Sequence, residues 1–196
     1  MLTAPFTEIY QSDEVFDHQY PIYVSALSEI HWTPLKVIET AACFLAPDQS
    51  ANVIDIGAGV GKFCIGAAHF APGRFTGIEQ RLNFVRVGNK LIKKLGANRA
   101  TLIHGNFMDI DFAQYNGVYF FNSFHENIVL SDSLDEKIDR SPELYELYNA
   151  YLLAQLVAMP AGTRLATYWL SVTEIPGCYK LISSHFDDLL KLWVKE

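Results

Sequence analysis

The sequence predicts an α/β fold: a mostly parallel seven-stranded sheet flanked by helices, with an antiparallel hairpin at its C-terminal edge. Three observations predict it. Short apolar runs alternate with segments of helical apolar spacing, the pattern of parallel strands joined by crossover helices. A glycine-rich turn, Gly57-Ala58-Gly59-Val60-Gly61, sits between the first such run and the helix that follows it. Two apolar runs with no helix between them, Cys178–Ser183 and Leu190–Val194, close the sequence and read as a hairpin around Asp187-Asp188.

The first thirty residues, rich in Tyr, Phe and acids, read as short helices. Thr33-Pro34 predicts a helix start, with Thr33 as N-cap and Pro34 in the first helical position. Leu35, Val37, Ile38, Ala41, Ala42, Phe44 and Leu45 then recur at helical spacing until Pro47-Asp48-Gln49-Ser50 stops them. Val53-Ile54-Asp55-Ile56 suits a buried parallel strand. The glycine turn leads into a helix reaching about His69. Phe75–Glu79 reads as a second strand and Arg81–Leu95 as a helix ended by Gly96. Ala100–His104 and Gly117–Phe121 are the third and fourth strands. Residues 131–140 are polar and read as an exposed loop, possible cover for a substrate. Ser141-Pro142-Glu143 starts a helix to about Met159, and Arg164–Leu170 is the fifth strand. The 196 residues suit one domain, 1–196, with an N-terminal helical segment over 1–46 and an α/β core over 51–196.

Half the residues are apolar, enough for a sizeable core. Lys and Arg number 15 against 22 Asp and Glu, a net charge of −7. That balance disfavours a nucleic-acid partner, because backbone contact depends on Lys and Arg releasing counterions. The densest basic cluster, Arg81, Arg86, Lys90, Lys93 and Lys94, mixes with apolar positions of one helix. No long apolar run or secretory leader is visible, so no membrane association is expected. Cys43, Cys64 and Cys178 are odd in number and lack metal-ligand spacing. They read as reduced, mostly buried thiols of a cytoplasmic protein without a metal site.

The glycine turn carries the chemistry. Asp55-Ile56-Gly57-Ala58-Gly59-Val60-Gly61 lies between strand and helix, the context such a loop needs. Glycines let the backbone turn tightly and approach a ligand, and the helix start offers N–H groups to its oxygens. Glu79 ends the next strand, whose C-terminal end neighbours the loop in an open parallel sheet. A carboxylate there can accept hydrogen bonds from both hydroxyls of an adenosine ribose. Two other nucleotide loops fail on spacing. A P-loop needs one more residue before its lysine and a hydroxyl after it, whereas Lys62 is followed by Phe63. A dinucleotide loop needs its third glycine one position later than Gly61.

These residues resemble the class I, Rossmann-like S-adenosylmethionine-dependent methyltransferase family over about residues 30 to 170. Its first motif, an acid followed by GxGxG, matches Asp55 to Gly61, and its second matches Glu79. Gly105-Asn106-Phe107 stands where the family usually has Gly-Asp and an apolar residue. The resemblance implies that S-adenosyl-L-methionine is the cofactor. It implies that Gly57, Ala58 and Gly59 line the methionine moiety and that Glu79 binds the ribose. Asn106 and Phe107 would hold the adenine, more weakly for want of the usual Asp. Trp32 and Thr33 are further candidate contacts, from the segment that covers the cofactor in several members. Asp55, Gly61 and Asn122 complete the candidate cofactor-binding set.

The fourth motif of the family corresponds to Phe120-Phe121-Asn122-Ser123-Phe124. Amino-methyltransferases often have Asn or Asp, two prolines and an aromatic here. The form in this sequence is one residue shorter and lacks proline. It is similar to the non-SET lysine methyltransferases of the disruptor-of-telomeric-silencing family, although the basic extensions expected of a histone enzyme are absent. The resemblance thus implies N-methylation of an amine on a small molecule or a protein. Asn122 would orient the amine, Phe124 would face the methyl group, and His125 or Glu126 would act as a base. A cofactor-binding protein without catalysis and a nicotinamide-dependent oxidoreductase are the alternative readings.

Overall fold

A computed structural model describes residues 8–25, 32–121, 141–170 and 175–196. Seven strands form one sheet: β1 (Asn52–Ile56), β2 (Arg74–Glu79), β3 (Ala100–His104), β4 (Gly117–Phe120), β5 (Arg164–Tyr168), β6 (Tyr179–His185) and β7 (Leu190–Lys195). Their spatial order is β3-β2-β1-β4-β5-β7-β6. The first five are parallel, whereas β7 runs antiparallel to β5 and β6 antiparallel to β7. The predicted hairpin is therefore present, with β6 outermost and Phe186, Asp187 and Asp188 at positive φ in its turn. The strand order reverses between β1 and β4. In open parallel sheets a ligand crevice lies at such a point, outside the C-terminal strand ends.

The described helices are α1 (Asp13–Asp17), α2 (Ile22–Ser25), α3 (Leu35–Leu45), α4 (Lys62–Phe70), α5 (Leu82–Leu95) and α6 (Pro142–Ala158). They bury the two faces of the sheet in separate clusters. On one face Val53, Phe75, Leu102 and Tyr119 pack with α3, α4, α5 and the N-terminal rings Tyr10, Phe16 and Tyr20. On the other, Ile54, Ile56, Phe107 and Phe120 pack against Tyr148, Leu152 and Leu156 of α6. The period-2 alternation of β1 sends Val53 and Asp55 to the first face and Ile54 and Ile56 to the second. Tyr145, Tyr148 and Tyr151 pack in or against this second cluster.

Local signals place most boundaries. Gly96 ends α5 at φ 64°, and its N–H donates to Lys93 and Ile92 carbonyls. Ser141 caps α6 with its hydroxyl on the Leu144 N–H, and Pro142 stands at the helix start. The start of α3 differs from expectation. Thr33 does not cap it: the Thr33 hydroxyl bonds Tyr119 Oη at 2.8 Å, and Asp13 Oδ1 accepts from the Leu35 N–H at 2.9 Å. The cap comes from a distant carboxylate, which frees Thr33 to tie α3 to β4. The thiols, expected to be mostly buried, differ: Cys64 is buried, Cys178 half-buried and Cys43 exposed. The expected loop over residues 131–140 lies outside the described residues. No described helix is long and apolar enough to cross a membrane.

Candidate functional site

The loop after β1 turns through three glycines at positive φ: Gly57 at 73°, Gly59 at 56° and Gly61 at 80°. The N–H groups of Gly57 and Ala58 both donate to the Ile78 carbonyl, which holds the loop against the end of β2. Gly59 and Gly61 do different work. A Cβ on Gly61 would stand 2.7 Å from Leu102 Cδ1, so that glycine lets α4 approach the sheet. A Cβ on Gly59 would meet nothing within 4 Å, which leaves open space against the backbone where a ligand can lie.

Glu79 closes the other side of this space. Its Oε2 accepts from the Gly59 N–H at 3.0 Å, and its Oε1 accepts from the Arg81 N–H at 2.8 Å. The Arg81 guanidinium lies 3.4 Å from the same oxygen, with both side chains buried. Arg81, read from sequence as part of a basic helix surface, is instead the partner of the acid that ends β2. An arginine two residues after that acid is the signal that would have identified it.

Asp55 lies beneath the loop. It pairs in register with Gly77 of β2 and Tyr119 of β4, and accepts from Cys64 Sγ at 3.6 Å. Burial, with the Cys64 bond opposing and the Glu79 charge adding, pushes its carboxyl up to about 8. Tyr119 completes this buried polar patch. Its ring stacks on Phe63 at 3.7 Å, its hydroxyl meets Thr33, and burial raises its phenol well above the ordinary range.

At the end of β3 the Gly105 N–H donates to the Glu79 carbonyl, which brings Asn106 beside the β2 end. The Asn106 side-chain carbonyl accepts from the Met108 N–H and its amide donates to Tyr148 Oη, each at 3.0 Å. Phe107 is buried, edge-on to Tyr148 and Tyr151. The structure thus gathers Gly57, Ala58, Gly59 and Glu79 at one crevice. It places Asp55, Gly61 and Thr33 behind it and Asn106 beside the β2 end, whereas Phe107, expected to hold the adenine, is buried in the second core cluster against Tyr148 and Tyr151. Asn122, Phe124, His125 and Glu126 lie outside the described residues; β4 ends at Phe120, paired with Ile56 beside the loop.

Lys62 carried no role in the sequence reading beyond ruling out a P-loop. Its ammonium lies 2.7 Å from Asp13 and 2.7 Å from Asp17, between the rings of Phe16 and Trp32. Lys62 is thus engaged by the N-terminal segment. Among the described residues no group of three His, Cys, Asp or Glu side chains has the proximity a metal needs.

No protein-family model matches the chain. The demethylmenaquinone methyltransferase of Listeria welshimeri is 27% identical over 149 residues, which cover 75% of this chain and 56% of that protein. The chain therefore spans about half the length of the curated relatives it matches. An RNA methyltransferase from Salinibacter ruber, solved with S-adenosyl-L-homocysteine, superposes with a TM-score of 0.56 at 18% identity, over 83% of this chain and 91% of that one. The mitomycin 7-O-methyltransferase MmcR superposes with a TM-score of 0.57 at 13% identity, over 97% and 60%. These relatives and neighbours are class I S-adenosylmethionine-dependent methyltransferases, and the chain carries their Rossmann-like fold.

Proposed function

We propose that the chain is an S-adenosylmethionine-dependent methyltransferase that methylates an amine nitrogen on a small molecule or a protein. The observation that carries the cofactor reading is the pairing of Gly59 with Glu79: an open backbone surface on one strand end, a carboxylate on the next. The residues present fit an adenosyl cofactor. Gly57, Ala58 and Gly59 present backbone to the methionine end, and Glu79 accepts from the ribose hydroxyls. Asn106 retains a second lone pair on its carbonyl oxygen for the adenine amino group. Phe107 supports Asn106 from the core. Asp55, Gly61 and Thr33 set the loop and the helix that precedes it.

The bound cofactor supplies a methyl group on a sulfonium sulfur. The chain's task is to align the acceptor with that bond and to exclude water. An alkyl ammonium with a pKa near 10.4 must first lose its proton, which costs about 4–5 kcal/mol at pH 7. Asn122 accepts a hydrogen bond from the amine and aims its lone pair. Phe124 offers its ring face to the methyl group and to the cationic product. His125 or Glu126 takes the proton.

The names of the relatives give demethylmenaquinone, RNA and mitomycin as acceptors, so the shared fold does not choose among acceptors. The amine reading rests on Asn122-Ser123-Phe124. Preference for a small molecule or protein rests on the net charge of −7 and on Asp132, Asp135, Glu136 and Asp139, which follow Asn122. A cytoplasmic setting fits the three free thiols, since oxidising compartments favour disulfides.

Calorimetry with S-adenosylmethionine, S-adenosylhomocysteine and NAD tests the cofactor. The two adenosyl ligands are expected to bind and NAD is not; saturable NAD binding alone overturns the reading. Labelled methyl transfer into fractionated cell extract then identifies the acceptor. Label on oxygen or carbon overturns the amine assignment. Tight cofactor binding with no transfer into any fraction favours a binding protein without catalysis.

A further inference from the structure

Lys62 opens α4, directly after the glycine loop, yet its side chain is only 5% exposed. It reaches the N-terminal segment, where Asp13 Oδ1 and Asp17 Oδ1 each lie 2.7 Å from its ammonium. Phe16 and Trp32 rings stand 5.8 and 5.7 Å away and wall the group from solvent. Asp13 Oδ1 also accepts from the Leu35 N–H, so the same carboxylate holds the start of α3. A second tie lies next to the first: Tyr20 Oη donates to the Val60 carbonyl at 3.3 Å, inside the loop itself. Residues 13–20 and the start of α3 are thus fastened to Val60 and Lys62, one residue either side of Gly61.

Lys62 and Asp17 are buried charges and Asp13 is half-buried, so removing either buried partner leaves the other uncompensated, and the triad is stable as a set and unstable in parts. With α1 undocked, Lys62 loses both counter-ions and the loop loses the Tyr20 bond. With the loop displaced, Asp13 and Asp17 lose their cation. Docking of the segment and the conformation of the loop are therefore energetically linked, and linkage is reciprocal: a ligand that selects one loop conformation also favours docking.

We propose that Lys62 is a positioning residue for the cofactor, its ion triad with Asp13 and Asp17 coupling the N-terminal segment to the glycine loop so that cofactor binding and segment docking are one equilibrium. This rests on the cofactor site proposed above. Lys62 does not touch the ligand; it acts through the loop backbone.

The test combines calorimetry with S-adenosylhomocysteine and hydrogen exchange on the whole chain. In the wild type the ligand is expected to slow amide exchange in residues 13–20 at least fivefold. Lys62→Met is expected to weaken binding at least tenfold and to abolish that protection. Lys62→Arg, which keeps the charge, is expected to restore both in part. Because Lys62→Met leaves the buried Asp17 carboxylate without the Lys62 cation, Lys62→Met with Asp13→Asn and Asp17→Asn provides a folded variant without the triad, its fold checked by circular dichroism. Wild-type affinity in that triple variant overturns the proposal. Ligand binding to the wild type with unchanged exchange in residues 13–20 also overturns it, whichever variants fold. Failure of the underlying cofactor reading looks different: the wild type itself then binds no S-adenosylhomocysteine.

Discussion

The Gly59 N–H donates to Glu79 Oε2 at 3.0 Å, while the other carboxylate oxygen is held by Arg81. One side chain therefore splints the glycine loop to β2 and stands where the ribose is placed by the proposed function. Glu79→Ala is expected to weaken S-adenosylhomocysteine binding by about 1.5–3 kcal/mol, the scale of hydrogen bonds to a charged group. That is roughly ten- to a hundredfold in Kd. Calorimetry on the folded variant measures it. Unchanged affinity means that the ribose has another partner.

Gly59 and Gly61 separate a ligand cradle from a packing requirement. Both adopt positive φ, so alanine at either costs about 1–2 kcal/mol of backbone strain. Gly61→Ala also drives a methyl into Leu102 and is expected to lose about 1–3 kcal/mol more from overpacking. Gly59→Ala meets no protein atom, so its stability loss should stop at the strain. Its affinity for S-adenosylhomocysteine should nevertheless fall by more than tenfold, since the methyl enters the space the ligand needs. Chemical denaturation and calorimetry on both variants give the comparison. A Gly59→Ala protein that binds normally makes this loop a structural turn.

Asp55 gives the fold a pH dependence. In the unfolded chain it ionises near 3.8, whereas burial keeps it protonated in the fold up to about 8. Between those values the unfolded chain binds fewer protons than the native one, so this group's contribution to stability falls as pH rises. Below about 3.8 both states are protonated and the penalty vanishes. Asp55→Asn imitates the neutral form and should gain on the wild type by up to about 1.4 kcal/mol per pH unit across that window. Urea unfolding at about pH 5 and about pH 7.5 provides the two points. A constant difference between the proteins means that Asp55 is already ionised in the fold.

Asn122 tests the division between binding and transfer. If it orients only the acceptor, Asn122→Ala lowers turnover and leaves S-adenosylhomocysteine affinity within about fivefold, less than about 1 kcal/mol. Steady-state kinetics with the identified acceptor, alongside calorimetry, separate the two. Lost cofactor affinity with normal turnover at saturation moves Asn122 to the cofactor.

Short-range signals in the sequence carried most of the sheet. The apolar run Ala100–His104 is a strand over those same residues, and Gly96 stops α5 in the left-handed conformation. The loop glycines and Glu79 were legible because strand ends in a parallel sheet meet by topology. What was not legible depends on contacts between distant residues. Asp13 caps α3 from far upstream, and Lys62 binds two carboxylates of the N-terminal segment. None of these leaves a periodic trace, because each depends on side chains that only the folded sheet brings together. The fifth strand stops at Tyr168, two residues early, because Trp169 adopts φ 56°.

The acceptor class is open to an electrostatic test. The structure removes Arg81 from the basic cluster of α5 by burying it against Glu79. Arg86, Lys90, Lys93 and Lys94 remain exposed, with Lys94 Nζ bonded to Gln19 Oε1 at 3.1 Å. Four cations on one helix of a chain with net charge −7 offer few phosphate contacts. Non-specific affinity for nucleic acid grows with the number of phosphates neutralised and collapses as salt rises. Gel-shift titration at about 50 mM salt with duplex DNA, single strands and transfer RNA should therefore show no micromolar complex. If one forms and weakens steeply with salt, the acceptor is a nucleic acid and the amine on a small molecule or protein is the wrong assignment. Lys90→Glu with Lys93→Glu then locates the contact. Loss of the shift puts it on α5, and a retained shift puts it elsewhere on the chain.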